Sequence, residues 1–251
     1  MKKQLFKKVI LIILTQIFVI SASGCQWFTL EDEQRVELDN KTFSIYPTTL
    51  LQSLAHNNKN TFVLQTATPP ATPYWSSLSE PWKQSDYLFI AQAFHQFVSG
   101  QSLDGWGLEK MTFNTECEKV SEGLQEGGFT FFRTEHFSDN DSHLIHFIYI
   151  SQWLNEVDFE SAETFYHALG EYPSLDLSKI KISAEQALQI AESAGGSKFR
   201  KDWENDCVVR MSIESAGKYR GWLISYSPND PQKPHFWITV NETTGEYLIL
   251  W

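Results

Sequence analysis

Hydrophobic and polar positions along the chain fall into helical and strand periods in a definite order. The first apolar run, Val9 to Ile20, is broken only by Thr15 and Gln16. It follows Lys2, Lys3, Lys7 and Lys8 and precedes the small residues Ala22, Ser23 and Gly24. That order of basic, apolar and small residues predicts an export signal over residues 1–24. The run is too short for a comfortable spanning helix. Residues 25–82 then lose clear periodicity. Glu31, Asp32, Glu33, Glu37 and Asp39 make the first part an acidic tether, with one short strand expected at Thr42 to Tyr46. Pro69, Pro70 and Pro73 predict an extended, loop-like lead-in.

Periodicity returns at Tyr87, Ile90, Ala91, Phe94, Phe97 and Val98, which follow the i, i+3, i+4 rule. They predict a helix over Asp86 to Ser99, with Gly100 to end it. Strand-like runs follow at Leu108–Thr115, Phe129–His136 and Leu144–Ile150. Glu116 to Gly128 reads as a solvated loop or short helix, and Asp139-Asn140-Asp141 as a turn. Phe159 to Leu169 is expected to be helical, ended by Gly170 and Pro173. The pattern then recurs. Ser183-Ala184-Glu185-Gln186 has the spacing of a capping box, in which the Ser183 hydroxyl accepts from the Gln186 amide. Ala187, Leu188, Ile190, Ala191 and Ala194 form a slim apolar face, and Gly195-Gly196 is expected to stop the helix. Strands are expected at Val208–Ile213, Tyr219–Tyr226, His235–Val240 and Tyr247–Leu250, with Thr243-Thr244-Gly245 as the last turn. One helix followed by antiparallel strands, twice over, predicts an α+β fold of two small modules, 83–178 and 179–251. Each module would pack its helix on one sheet face.

Two stretches resemble known families. Cys25, directly after three small residues, resembles the lipobox of bacterial lipoproteins. The resemblance implies that the Cys25 sulfur carries a diacylglycerol, that residues 1–24 are removed, and that the protein is lipid-anchored to a bacterial cell membrane on its extracytoplasmic side. The last module resembles the PepSY domain family. The matching residues are Ile182-Ser183-Ala184-Glu185-Gln186-Ala187 with Ile190-Ala191, then Trp222 to Tyr226, then Ile238-Thr239-Val240-Asn241 with Thr244-Gly245-Glu246. Asn241 stands where that family usually has aspartate. The resemblance implies a cystatin-like shape and a non-catalytic extracytoplasmic role. Such a module would bind or inhibit a peptidase, or regulate an envelope partner, with no cofactor.

Composition and charge narrow the classes further. The chain has 251 residues, 42% hydrophobic and 20% charged, which suits a folded body. Its formal net charge of −11 argues against nucleic acid as a partner. Removing the four leader lysines brings the remainder to about −15, so the body should stand off an anionic bilayer on its tether. Cys117 and Cys207 are left as an even pair in an oxidising compartment. They form either a disulfide or two buried free thiols. A bond would close a loop of roughly 90 residues, with an entropic ceiling near 4–5 kcal/mol.

Candidate chemistry is sparse. His143 and His146 lie three apart, so on a strand they face opposite ways and cannot share one metal. Gly100 to Asp104 lacks the second glycine of a nucleophile elbow. Cys117 and Cys207 sit beside Glu116, Glu118 and Asp206, which disfavour a thiolate. Carboxylates are too abundant for a catalytic pair to be chosen. Gln96-Phe97-Val98-Ser99-Gly100 matches the QxVxG pattern of cystatin inhibitors, but it falls at the end of an expected helix. Of nine tryptophans, Trp75, Trp82 and Trp106 fall in loops or near helix ends, where clustered rings could line a sugar or peptide groove. The sequence therefore favours a binding protein for a peptidase, peptide or envelope partner. The alternatives are a small-ligand or glycan receptor with an exposed aromatic surface, and an enzyme with a carboxylate pair. No metal or cofactor site is expected.

Overall fold

A computed structural model describes residues 34–44, 82–100, 102–136, 141–154, 156–165, 173–216 and 219–250. The strands are β1 (Gln34–Ser44), β2 (Gly107–Glu116), β3 (Glu126–His136), β4 (Asp141–Ser151), β5 (Glu156–Phe165), β6 (Cys207–Glu214), β7 (Trp222–Pro228), β8 (Phe236–Val240) and β9 (Tyr247–Ile249). The helices are α1 (Gln84–Ser99), α2 (Ala184–Ala191) and α3 (Ser197–Asp202). All nine described strands join one sheet in the order β1-β5-β4-β3-β2-β6-β7-β8-β9. The pairings from β5 through to β9 are antiparallel. The fold is α+β, as expected.

The two helix-and-strand stretches share this sheet. Its seam is the β2–β6 ladder, where Met111 faces Ile213 and Phe113 faces Met211. Alternation along the strands sends Met111, Phe113, Phe129, Ile148, Val209, Met211, Ile224 and Ile238 to one face, all of them buried. The helices cover that face. α1 lies on β3 and β4, and α2 lies on β7 and β8. Tyr87 and Phe94 of α1 and Ala187, Leu188 and Ala191 of α2 belong to the resulting core. α1 comes close because Gly127 of β3 has no side chain: a Cβ there would stand 2.7 Å from the Tyr87 ring. The Tyr87 hydroxyl donates to the Leu124 carbonyl at 3.0 Å.

Local signals explain most boundaries. Gly100 is left-handed, with φ of 64°, and ends α1. Val98 of the QxVxG stretch packs against the core within α1. The Ser183–Gln186 capping box forms in both directions, at 3.4 Å and 2.9 Å. Part of Glu116–Gly128 is a 3-10 turn, Cys117–Glu122, before β3 begins.

Two expectations are corrected, and a third is extended. Phe159–Leu169 is not helical where it is described: β5 runs Glu156–Phe165 in register with β4. Val157 and Phe159 alternate onto the helix-covered face, and a ten-residue ladder with β4 overrides a weak helical spacing. Gly195-Gly196 interrupts the second helix, as expected, but a further helical turn follows that was not expected. The chain kinks there, with Gly195 at φ of 139°, and resumes as α3. Gly196 is needed because a Cβ would collide with the Tyr226 hydroxyl. The strand expected at 42–46 begins earlier, so 34–44 belongs to the sheet and not to a tether. The expected turn at 139–141 lies outside the described residues except for Asp141, which opens β4.

Candidate functional site

The seam of the sheet carries the disulfide. Cys117 follows β2 and Cys207 opens β6, and the two are bonded with their Cα atoms 5.2 Å apart. The 90-residue loop between them holds β3, β4, β5 and both α2 and α3. The bond ties the two halves of the sheet at the ladder that joins them. Both sulfurs are buried.

Beside the bond stands a complete polar cluster. Arg200 of α3 donates twice to Glu192, from Nε at 2.9 Å and from a terminal nitrogen at 2.7 Å. Its other terminal nitrogen donates to the Cys117 carbonyl at 3.0 Å and to the Asn205 side chain at 2.7 Å. Tyr226 of β7 donates its hydroxyl to Glu192 at 2.9 Å. Burial, with the Glu192 charge beside it, pushes the Tyr226 phenol well above its usual pKa. Across the kink at Gly195 and Gly196, Arg200 reaches both Glu192 and the backbone carbonyl of Cys117.

A second polar cluster lies under α1. His95 of α1 and His146 of β4 meet ring to ring, with His95 Nε2 and His146 Nδ1 3.0 Å apart. Trp106 stacks on His146 with centroids 4.3 Å apart and stands edge-on to His95 at 4.6 Å. Phe131 and Phe159 close the cage. The Arg133 guanidinium lies 5.1 Å from the centre of the Trp106 ring. Burial, followed by the nearby Arg133 charge, lowers the His95 pKa to about 4. Burial, then the neighbouring His95 and Arg133, lowers that of His146 to about 3. Both rings are therefore neutral at pH 7. His95 Nδ1 and Trp106 Nε1 are buried without a hydrogen-bond partner.

A groove of about 650 Å³ opens between the start of α1, the 3-10 turn and α2. Trp82, Leu124, Leu188 and Val120 supply apolar wall, and Glu185 and Glu192 share the lining. The Glu185 carboxylate accepts the Gln84 amide, and the Gln84 side chain accepts the Ala184 amide at 2.7 Å. These reciprocal bonds join the starts of α1 and α2. Both groove carboxylates thus hold helices in place.

Among the described residues, no strand pairs with the outer side of β9. Tyr247 and Leu248 are 55% and 63% exposed there. Asn241 donates to Glu246 at 2.7 Å and Leu250 to Trp237 at 2.8 Å. Antiparallel alternation from these two bonds turns the N–H and C=O groups of Tyr247 and Ile249 away from β8.

The residues singled out from sequence separate in the structure. Cys117 and Cys207 are bonded. His143 and His146 take opposite faces: His143 meets Thr134 at 3.1 Å, while His146 meets His95. Trp82 is a core ring, 4% exposed and edge-on to Tyr87. Trp106 is half-buried in the histidine cage. Neither forms a shared aromatic platform with the other among the described residues. Cys25 and Trp75 lie outside the described residues. Among the described residues, no three His, Cys, Asp or Glu side chains are grouped to hold a metal ion. Sequence reasoning missed the His95–His146 pair, whose members lie 51 residues apart. A histidine beside Phe94 on an apolar helix was the only signal for it. Compared with known proteins, the chain matches no family model, no curated protein and no solved structure.

Proposed function

We propose that the protein is a non-catalytic, extracytoplasmic lipoprotein that binds or regulates a peptidase, a peptide or another envelope protein. The observation that carries this reading is the edge at β9, where two large apolar side chains are exposed beside main-chain groups that have no partner among the described residues. The Cys117–Cys207 bond supports an oxidising compartment. The leader with Cys25 and the PepSY-like pattern in 182–246 support lipid anchoring and a binding module. In this reading Cys25 is the lipid site, and the acidic body stands away from anionic headgroups.

Crosslinking and affinity recovery from native membranes, with the tagged, processed protein, test the proposal. Reproducible recovery of one peptidase or envelope protein is the expected result. Recovery of nothing from protein shown to be folded and lipidated rejects it. A second reading, a small-ligand receptor, is favoured by the groove beside Trp82, whose size suits a small molecule. Under that reading a ligand would shift the Trp82 indole resonance while no protein is recovered.

A further inference from the structure

We infer that β9 binds an extended segment of a partner protein by adding it to the sheet as a tenth strand, and that this segment is apolar with basic flanks. This inference rests on the binding role proposed above and assigns it a site and a partner chemistry. The ladder leaves Tyr247 and Ile249 with outward N–H and C=O groups, two residues apart along the edge. That spacing, about 6.8 Å, is the repeat at which a neighbouring strand exchanges hydrogen bonds. A globular surface or a small ligand does not present donors and acceptors at that repeat; an extended main chain does. The side chains agree. Tyr247 and Leu248 project to opposite faces of the edge, so each can cover an apolar residue of the incoming strand.

Comparison with the opposite edge sharpens the assignment. β1 carries Arg35, Glu37, Asp39 and Lys41 among its eleven residues, the charged pattern that discourages pairing. β9, with the sequence Tyr-Leu-Ile, carries no charge. Charge selects the partner. Glu246 is exposed directly before β9, and the chain carries −11. A second copy would bring like charge to the same edge, whereas a segment flanked by Lys or Arg would be attracted.

The test uses the full chain in detergent micelles and two synthetic probes, Ac-KVTVTVK-NH2 and Ac-EVTVTVE-NH2, with amide hydrogen exchange read by NMR. The expected result is at least about tenfold slower exchange at Tyr247 and Ile249 with the basic probe, and a weaker effect with the acidic one. Ile249→Pro removes one outward N–H without touching a bond to β8, and is expected to weaken the basic probe about tenfold. Unchanged exchange in β6, β7 and β8 shows that this variant is folded; the wild-type exchange stands if it is not. No protection at Tyr247 and Ile249 overturns the inference, because main-chain pairing tolerates sequence. Equal protection by both probes overturns the basic-flank assignment. Protection that grows with protein concentration alone, with dimers in sedimentation, replaces the partner with a second copy. Membrane crosslinks that map away from β9 leave the binding role standing and remove this site.

Discussion

Beneath α1, His95 and His146 share one contact, and two buried nitrogens beside it, His95 Nδ1 and Trp106 Nε1, have no partner. Beneath the kink that joins α2 to α3, Glu192, Arg200 and Tyr226 form a network tied to the disulfide through the Cys117 carbonyl. Both clusters sit under helices on the same face of one sheet. The difference is in what ionisation does to them. The second is built around a charge pair, and each charge has several partners. In the first, burial disfavours charge on either ring, and protonation of both removes the acceptor of their shared bond. The half that holds the histidines should therefore lose stability as they protonate. Charge is tolerated in a core where the backbone brings enough donors and acceptors to it, and excluded where aromatic rings do the packing.

The largest effect is expected where the two halves meet. Replacing Cys117 and Cys207 together by alanine releases the 90-residue loop, with a cost of up to about 4–5 kcal/mol on the chain-entropy scale. Urea unfolding of oxidised wild type and the double variant measures it. A cost below about 1 kcal/mol would mean that the β2–β6 ladder alone holds the seam. If the network leans on the bond, the variant should also weaken the Arg200 contact to the Cys117 carbonyl. The exchange rates of α3 amides report this separately from global stability.

Acid separates the two clusters with a smaller loss. Unfolded histidine titrates near pH 6.5, but His95 in the fold titrates at about 4 and His146 at about 3. As pH falls below 6.5, the unfolded chain takes up protons that the folded chain refuses. Stability is full above that pH and declines through the window down to about 4 and then 3. For His95 alone the shift corresponds to about 3 kcal/mol. The double variant His95→Leu/His146→Leu removes both polar partners at once. It should stay within about 1 kcal/mol of wild type at pH 7 and lose less stability between pH 6.5 and 4. An unchanged acid profile would place the sensitive groups elsewhere.

Glu192→Ala attacks the complete cluster at constant pH. It leaves the Arg200 guanidinium without its carboxylate and the Tyr226 hydroxyl without its acceptor. The expected cost is about 2–3 kcal/mol, below that of a fully buried pair, because both side chains keep 17% of their exposure. Thermal unfolding at pH 7 checks it. Glu192→Gln should recover part of the loss, since the amide oxygen can still accept from Tyr226 or Arg200. Equal losses for the two variants would show that the charge of Glu192, and not its hydrogen bonding, carries the cluster.

Local features of both halves were legible in the sequence; their meeting points were not. The α1 periodicity, Gly100, the capping box and the alternation in β2, β4 and β6 are written in neighbouring residues. The opposite faces of His143 and His146 followed from strand parity alone. What escaped depended on distant partners. Val157 and Phe159 fit either a helix or a strand until β4 supplies a ladder. Gly195-Gly196 reads as a stop, and it does break the helix, but nothing local announces that α3 resumes beyond it. The His95–His146 pair, the Glu192–Arg200–Tyr226 network and the shared sheet all join residues on different elements. The candidate edge was legible only as a final strand. Its openness is a property of the strand order.

The smallest expected effect tests the part of the comparison that is purely local. Ser183 caps α2 by accepting the Gln186 amide, and Gln186 returns a bond to the Ser183 amide. Ser183→Ala should cost about 1 kcal/mol. α1 has no such side-chain cap from a serine or threonine; Lys83 stands at that position and donates its amide to Asp86 at 2.8 Å. The starts of the two helices are also joined through Gln84 and Glu185. If α2 depends on its own cap, amide exchange should quicken in its first turn and leave α1 unchanged. If the loss spreads equally to the first turn of α1, the Gln84–Glu185 link makes the two helix starts one cooperative unit. The boundary between the halves would then lie beyond both helices, at the strand ladder.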